Sequence, residues 1–188
     1  MNILLIDNQT KHLEKICRLL PDTPTVVPWN KLSATDALGR DLIILSGGTN
    51  VPSVTEYEEF FLIQKSIILG SEKPIIGICL GAQIIANAFD AELEFLGKKR
   101  QGIITVLPTE TGTRILSIHS PFQVYEGHSW AIKKLPESFD VLAESEDGKE
   151  IFKHSSRPLW GLQFHPEHLI DQTSGDEIFL RILNDVKG

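Results

Sequence analysis

The stretch that decides the fold is PIIGICLGAQ, residues 74–83, in which one cysteine stands between two glycines. An apolar run of strand type ends at Ile78, and a pattern of helical type begins after Cys79. This order predicts a buried strand, a sharp turn at Cys79 and then a helix, which is the arrangement of a nucleophile elbow. Gly77 and Gly81 keep the turn uncrowded. The sequence therefore predicts a strained cysteine whose sulfur points outward at the start of a helix.

The predicted helix would activate this thiol in two ways. Its positive end favours the thiolate form of a cysteine in its first turn. Its free N–H groups supply donors for an oxyanion that develops near the sulfur. The other cysteine, Cys17, lies on the apolar face of a predicted helix and fits a core position, so we do not expect a disulfide.

A base for the thiol is predicted in GLQFHPE, residues 161–167, where a half-buried strand pattern ends in His-Pro-Glu. Pro166 cannot continue a strand ladder and disfavours helix before it, so we expect His165 at the strand end and Glu167 in the adjoining turn. A carboxylate there can fix the imidazole tautomer and stabilise the imidazolium. Each motif alone also occurs as a core cysteine or a simple turn, but together they indicate a Cys-His-Glu triad.

Alternation of strands and helices in the first half predicts an α/β fold with an open, mostly parallel sheet and helices on both faces. The expected strands are 2–7, 26–27, 41–45 and 74–78. One expected helix has Leu13, Ile16, Cys17 and Leu20 on its apolar face, and a second helix spans 57–69. A later strand, 159–164, returns to the edge of this sheet with His165, and a helix over 174–186 closes the fold. Between them, β-type runs predict a small antiparallel extension at 92–95, 103–107, 114–118, 123–125, 130–132, 141–143 and 150–153.

Composition narrows the possible functions. The 188 residues are 41% hydrophobic, which is enough for the single domain, 1–188, that we expect. A net charge of −7 opposes nucleic-acid binding, and no apolar run is long enough for a membrane span. The first residues enter a strand without a leader pattern, so we expect a cytoplasmic protein. The basic cluster 98–100 fits a solvated loop, or else a docking surface for a partner enzyme.

At this point the chain resembles the class I, triad-type glutamine amidotransferases over essentially its whole length. The resemblance rests on the Gly-x-Cys-x-Gly elbow, the downstream His-Pro-Glu and a Gly-Gly pair before the elbow. Within the family, the chain is most similar to the stand-alone glutaminase subunits of GMP synthases. The stretches that carry this likeness are 6–8, 46–48, 135–143 and 161–167.

The resemblance implies roles for further residues. The backbone of Gly47 and Gly48, with the N–H of Leu80, corresponds to the oxyanion hole, and Gln83 resembles the family glutamine that helps to hold substrate. His128 occupies the place of a family histidine that is followed two residues later by Asp.

Two positions depart from the pattern of the family. The residue two places after His128 is Trp130 instead of Asp, which bears on the contact with the substrate amine and on coupling to a partner. Ala82 replaces a bulkier His or Tyr, so the shape of the pocket is expected to differ.

The activity implied by the resemblance is hydrolysis of L-glutamine to glutamate and ammonia, with ammonia passed to a synthetase subunit. That partner would be the ATP-pyrophosphatase subunit of GMP synthase, which acts on XMP. We expect no cofactor in this chain, because it lacks a phosphate-binding Gly-x-x-x-x-Gly-Lys motif; ATP and Mg²⁺ belong to the partner.

Several alternatives remain open. The same elbow also serves a self-sufficient γ-glutamyl hydrolase or cysteine peptidase, and the fold could carry a silent binding module. An anthranilate synthase subunit is disfavoured because residues 46–48 lack that group's proline-containing loop. A metal pair of His165 and His168, with His119, His128 or His154 as a third ligand, is also disfavoured, since Cys79 and Glu167 already account for His165. We therefore predict no metal.

The elbow motif yields a direct test of the nucleophile. Replacing Cys79 with Ala should abolish glutamine hydrolysis with little loss of fold, because the elbow thiol is held for chemistry more than for packing. Cys17→Ala, the matched control, should keep activity. Turnover assays and alkylation by a glutamine-analogue electrophile measure both variants. Labelling at Cys17 instead of Cys79 would show that the elbow assignment is wrong.

Overall fold

The structure, a computed structural model, describes residues 1–48, 54–56 and 58–186. Short 3₁₀ turns occur at Trp29–Lys31, Ala34–Ala37 and Glu58–Phe61. In chain order the other elements are β1 (Ile3–Asp7), α1 (Leu13–Leu19), β2 (Thr25–Pro28), β3 (Leu42–Leu45), α2 (Leu62–Gly70), β4 (Ile75–Ile78), α3 (Leu80–Ala88), β5 (Glu92–Pro108), α4 (Glu110–Leu116), β6 (Phe122–Lys134), β7 (Phe139–Glu144), β8 (Lys149–His154), β9 (Leu159–Leu162) and α5 (Gly175–Asp185).

A parallel sheet forms the centre of the molecule. Its strands follow the order β2-β1-β3-β4-β9, and all four neighbouring pairs are parallel. The inner strands β3, β4 and β9 are fully buried and have no polar side chain apart from the indole N–H of Trp160, as is typical of a parallel sheet that is covered on both faces. The edge strand β2 is mostly exposed. This is the open, mostly parallel α/β sheet that the sequence predicts.

Helices cover both faces of this sheet, and each face has its own apolar core. Alternate residues of β1 enter different cores: Leu5 packs with Ile16 of α1 and Phe179 of α5, on the face that α4 also covers. Leu4 packs on the opposite face, with Ile68 of α2 and Ile85 of α3. Because successive side chains of a strand point to opposite faces of the sheet, the apolar residues of each strand contribute to both cores.

An antiparallel extension continues the sheet beyond β9. Within the described residues, the strand order there is β8-β7-β5-β6, and β8 is antiparallel to β9. Where the sequence predicts separate short runs, β5 and β6 are two long strands that pair with each other through a register shift between Phe95 and Arg100. The basic cluster 98–100 lies in β5 instead of a loop.

One predicted strand, 114–118, is wrong, because most of it belongs to helix α4. Thr109 caps this helix: its Oγ1 accepts a hydrogen bond from the backbone N–H of Gly112 at 3.0 Å. Glu110 adds an acidic residue to the first turn, which suits the positive end of a helix. The β-branched and apolar residues of this run are thus compatible with either structure, and the cap decides for the helix. A smaller difference is that β9 ends at Leu162, before the predicted end at 164.

The sheet brings the predicted site residues to one edge. The carboxyl ends of β3, β4 and β9 are neighbours in register, since Leu45 pairs with Gly77 and Gly77 pairs with Gly161. Gly47 therefore lies close to Cys79 and His165, as expected for residues that follow adjacent parallel strands. No helix in the described part of the chain has the length and apolar character that crossing a bilayer requires.

The elbow glycines are required by close backbone contacts. A Cβ on Gly81 would overlap the carbonyl oxygen of Leu45 and lie 2.7 Å from the Leu45 Cβ. A Cβ on Gly77 would lie 2.5 Å from the carbonyl carbon of Gly81. Both contacts are closer than real side chains allow. The turn therefore packs backbone against backbone, which only glycine permits at these two positions.

These contacts predict that Gly81→Ala destabilises the protein. The added methyl group meets the backbone of β3, and relieving that overlap should lower the free energy of unfolding by about 1–3 kcal/mol. Gly70→Ala at the end of α2 is the control, because a Cβ there has no neighbour within 4 Å. It should be neutral or raise stability by about 0.5 kcal/mol. Urea unfolding measures both; equal midpoints for the two variants would contradict the packing account.

Candidate active site

Cys79 occupies a strained turn between β4 and α3. Its backbone has φ of 49° and ψ of −103°, a conformation that residues with a side chain rarely adopt. The turn is held by two hydrogen bonds: the N–H of Cys79 donates to the Leu162 carbonyl at 2.7 Å, and the Gln83 N–H donates to the Cys79 carbonyl at 3.0 Å. The residue is 4% exposed and lines a cavity of about 680 Å³. The strain therefore directs the thiol into a concave, accessible site.

His165 and Glu167 form a hydrogen-bonded pair in the same place. The distance between His165 Nδ1 and Glu167 Oε1 is 2.9 Å, and Glu167 is fully buried. The backbone N–H of His165 donates to the Tyr125 carbonyl at 2.8 Å, which ties this segment to β6. With Nδ1 turned to the carboxylate, Nε2 is left for a proton exchanged with the thiol or the substrate.

Two glycines lie beside the imidazole of His165. A Cβ on Gly47 would lie 2.9 Å from His165 Cε1 and 3.6 Å from the Cβ of Cys79. On the other side, a Cβ on Gly127 would be in van der Waals contact with the ring, at 3.6 Å from Nε2. The Gly47 contact is therefore too close for any larger residue, so glycine at position 47 leaves the room that the ring occupies.

The charges of these three residues support one another. Burial raises the pKa of the Cys79 thiol, but the positive charge of His165 and a hydrogen bond to it outweigh burial, so the pKa is lowered overall. Burial disfavours the charged form of His165, yet Cys79 and Glu167 hold its pKa well above the usual value. Burial likewise raises the pKa of Glu167, and His165 more than reverses this. These shifts favour a resting site with a thiolate, an imidazolium and a carboxylate.

Backbone groups are available for an oxyanion. Gly48 and Leu80 line the cavity beside Cys79. Leu80 is the first residue of α3, so its N–H has no acceptor within the helix and lies at the positive end of the helix axis. The predicted set of Gly47, Gly48 and Leu80 is thus brought close to the thiol.

Gln83 and His128 also line this cavity, although the side-chain amide of Gln83 already donates hydrogen bonds within the protein. Its Nε2 donates to the Trp130 carbonyl at 2.8 Å and to Gln163 Oε1 at 3.2 Å. It is 4% exposed, so it is not the surface residue that a bare helical position would suggest. Trp130, at the departure from the family pattern, lines the same cavity and packs its ring against Phe95 at 5.5 Å between centroids.

The structure adds residues to which the sequence analysis assigns no role. Gln163 Nε2 donates to the sulfur of Cys79 at 3.8 Å. In the sequence, a period of two continued from the predicted strand 159–164 puts Gln163 on the same face as His165, and this is the signal that points to it. His168 stacks on Tyr125 with ring centroids 4.5 Å apart and contacts His12 edge-on at 3.9 Å. These contacts join two distant segments of the chain and are not visible in the sequence.

His168 supports His165 without competing for its proton. The two rings meet edge to face, with centroids 5.5 Å apart. Burial lowers the pKa of His168 to about 4, with the neighbouring His12 and His165 adding to the effect, so the ring is neutral near pH 7. One nitrogen or carboxylate oxygen atom from each of His165, Glu167 and His168 lies within 4.8 Å of the others, a spacing at which a metal ion could be held. The hydrogen bond between His165 and Glu167 already engages two of these side chains. That no metal binds here stays a prediction.

The ion pair predicts an unusual reactivity of Cys79. In a Cys17→Ala background, iodoacetamide should alkylate Cys79 at a pH below that at which free cysteine becomes reactive, because His165 stabilises the thiolate. Glu167→Gln should move this reactivity to higher pH, since the imidazolium then loses its carboxylate. Alkylation rates measured from about pH 5 to 9, the ordinary range of thiol titration, give the pH profiles of both proteins. A profile of the Cys17→Ala protein like that of free cysteine would contradict the ion pair.

Comparison with known proteins shows the family to which the chain belongs. The family model for glutamine amidotransferase class-I matches residues 4–184. A glutamine-hydrolyzing GMP synthase subunit from Methanococcus maripaludis is 29% identical over 185 residues, which cover 95% of this chain and 93% of that protein. The corresponding protein from Methanocaldococcus jannaschii is 28% identical over 173 residues, covering 88% and 87%.

Solved structures share the fold over the whole chain. A protein from Thermoplasma acidophilum described as a GMP synthase subunit superposes with a TM-score of 0.86 at 28% identity, covering 100% of this chain and 94% of its own. A glutamine amidotransferase from Thermotoga maritima has a TM-score of 0.79 at 17% identity, with coverage of 99% and 97%, and shows the same fold. With the family model matching almost every residue, the chain belongs to the class I glutamine amidotransferases.

Proposed function

We propose that the chain is a glutaminase subunit that hydrolyses L-glutamine and delivers the ammonia to a synthetase. The observation that carries the proposal is the positive-φ Cys79 at the start of α3, with its thiol in the field of a His165 that Glu167 holds at 2.9 Å. This arrangement supplies a nucleophile, a proton carrier and an orienting carboxylate in one cavity. Acyl transfer from an amide requires those three roles.

In the first half-reaction, the Cys79 thiolate attacks the carbonyl carbon of the glutamine side-chain amide. The negative charge moves to the amide oxygen, where the N–H of Leu80 and the backbone at Gly47 and Gly48 can stabilise it. His165 gives its proton to the leaving nitrogen, the C–N bond breaks, and ammonia departs. A γ-glutamyl thioester on Cys79 remains.

In the second half-reaction, water attacks the thioester. The now neutral His165 takes a proton from this water, and the carbon–sulfur bond breaks to release glutamate and the Cys79 thiolate. Glu167 keeps Nδ1 of His165 protonated throughout, so Nε2 is the nitrogen that exchanges protons. At the end, the thiolate and the imidazolium are restored and the site is ready for another glutamine.

The cavity has room and polar groups for the amino-acid part of glutamine. At about 680 Å³ it falls in the range of small-molecule pockets, and His128 and Gln83 lie in its wall. We assign these two residues to substrate binding. Trp130 replaces the acidic residue of the family pattern, so a partner that orders this wall would complete the contact with the substrate amine.

We propose the ATP-pyrophosphatase subunit of GMP synthase as the partner. Relatives matched over 93% and 87% of their own length are named as the glutamine-hydrolyzing subunit of GMP synthase, which supports this assignment. Ammonia released into the cytoplasm, where we place the protein, becomes mostly ammonium and loses its nucleophilic lone pair. Direct transfer to an XMP-activating subunit avoids this loss, and ATP and Mg²⁺ then act only in that partner.

The mechanism predicts unequal losses at the base and its orienter. His165→Ala should approach the defect of Cys79→Ala, a loss of at least about a thousandfold in kcat, because no other group exchanges the proton. Glu167→Gln should keep the geometry and lose the charge, for a loss of about a hundredfold. Combined variants should not lose more than the worst single one. Near-normal turnover by His165→Ala would exclude the triad.

The coupling predicts that the isolated chain hydrolyses glutamine slowly and that a synthetase partner raises the rate. Glutamate release is measured for the pure chain, for the chain with XMP and an ATP-pyrophosphatase subunit, and for that mixture without XMP. The Cys79→Ala variant controls for contaminating glutaminase. The full mixture, supplied with ATP and Mg²⁺, should also convert XMP to GMP with glutamine, whereas the partner alone should need ammonium salt. Full turnover by the pure chain, unchanged by any partner, would favour a self-sufficient hydrolase.

A further inference from the structure

A second group of buried titratable side chains adjoins the site, and its two carboxyl groups have no part in the mechanism above. Glu126, His128 and Glu150 are 3%, 4% and 0% exposed. His128 Nε2 and Glu126 Oε2 are 3.1 Å apart. One ring nitrogen or carboxylate oxygen atom from each of the three residues lies within 4.8 Å of the others. The three residues come from β6 and β8, so tertiary structure brings Glu150 to the other two. We call this group the glutamate–histidine cluster.

The two buried carboxyl groups of this cluster need a neighbouring cation or a bound proton. Within the described residues, Arg100, whose strand position pairs with His128, forms an ion pair with Asp147 at 3.3 Å. Glu150 accepts a hydrogen bond from the Ser145 hydroxyl at 2.7 Å, while its Oε2 and the Nδ1 of His128 have no hydrogen-bond partner among the described residues. Two buried carboxylates without a cation would be costly, so the imidazole has to carry charge or a carboxyl has to carry a proton.

Both changes occur. Burial raises the pKa of Glu150 to about 7, against the opposing effects of His128 and Ser145; Glu126 and Asp147 act in the same direction as burial. Burial lowers the pKa of His128, but the hydrogen bond to Glu126 and the charges of Cys79, Glu150 and Glu126 raise it overall. The cluster therefore favours the imidazolium form of His128 and the protonated form of Glu150 more than free side chains would.

His128 connects this cluster to the nucleophile. It lines the cavity that contains Cys79, and its positive charge acts on the thiol in the same direction as His165. With the thiolate, the imidazolium and the carboxylate that these pKa shifts favour, the triad carries a net negative charge in a buried site. A second cation near the thiolate reduces that cost.

We propose that Glu126 and Glu150 are positioning residues that hold His128 as a cation near Cys79, so that the thiolate has an imidazolium neighbour besides His165. This deepens the proposed glutaminase and rests on it for its purpose. When His165 gives up its proton during turnover, His128 keeps its own, because Glu126 accepts its hydrogen bond. The pocket thus keeps one cation through the reaction, which favours the carboxylate-bearing substrate and the oxyanion.

Alkylation of Cys79 by iodoacetamide tests the proposal without glutamine or a partner. In a Cys17→Ala background, Glu126→Gln should slow alkylation about tenfold at pH values below the wild-type midpoint, because an uncharged His128 no longer favours the thiolate. Glu150→Gln should have a smaller effect, since burial already raises the pKa of Glu150 to about 7 and so favours its uncharged form. Glu144→Gln is the control: this carboxylate lies on neighbouring β7, is partly exposed and pairs with Lys149.

A second measurement keeps the test independent of how the variants fold. In ¹⁵N-histidine spectra of the full chain, the His128 ring, assigned by its loss in His128→Asn, should show imidazolium shifts at neutral pH in the wild type and neutral shifts in Glu126→Gln. A neutral His128 in the wild type, or an unchanged alkylation profile in a folded Glu126→Gln protein, would overturn the proposal. A chain that shows these signatures but hydrolyses no glutamine, with or without a partner, would disprove the proposed function instead.

Discussion

The strained turn at Cys79 is the constraint on which the rest of the site depends. A residue with a side chain holds φ of 49° there only because the surrounding backbone leaves no alternative: Gly77 contacts Gly81, and Gly81 contacts the carbonyl of Leu45. Those contacts require glycine at both positions and fix β3, β4 and α3 relative to one another. The apolar cores on both faces of the sheet offset the strain. As a result, the thiol and the free N–H groups of α3 lie at one cavity.

Electrostatic support for the thiolate comes from two separate parts of the sheet. His165 and Glu167 follow β9, the neighbouring parallel strand, and their hydrogen bond couples a raised imidazole pKa to a lowered carboxyl pKa. His128 approaches from the antiparallel extension, with Glu126 beside it. Because burial opposes every charge in the site, each charged group persists only through its neighbours. The removal of one member therefore changes the protonation of the others, and the residues act as a unit.

The antiparallel extension does more than add strands to the sheet, since β6 forms a wall of the cavity. The Tyr125 carbonyl accepts a hydrogen bond from the N–H of His165, Gly127 lies beside the His165 ring, and the Trp130 carbonyl accepts a hydrogen bond from the side-chain amide of Gln83. This segment contains the departure from the family pattern at Trp130. Its ring packs on Phe95 of β5 at the wall of the cavity.

The sequence by itself determined the parallel sheet and the helices on both faces, because both depend on local order. It also pointed to Cys79, His165 and Glu167, which the structure brings together. Strong apolar runs, a glycine on each side of Cys79 and a proline after His165 restrict the backbone within a few residues. It misassigned 114–118, where apolar residues suit helix and strand alike and the cap at Thr109 decides. Only the tertiary structure brought Glu150 to His128, or His12 to His168, since these contacts join segments far apart in the chain. Whether a buried carboxyl or imidazole carries charge follows from such neighbours and from burial, and neither is encoded in local sequence.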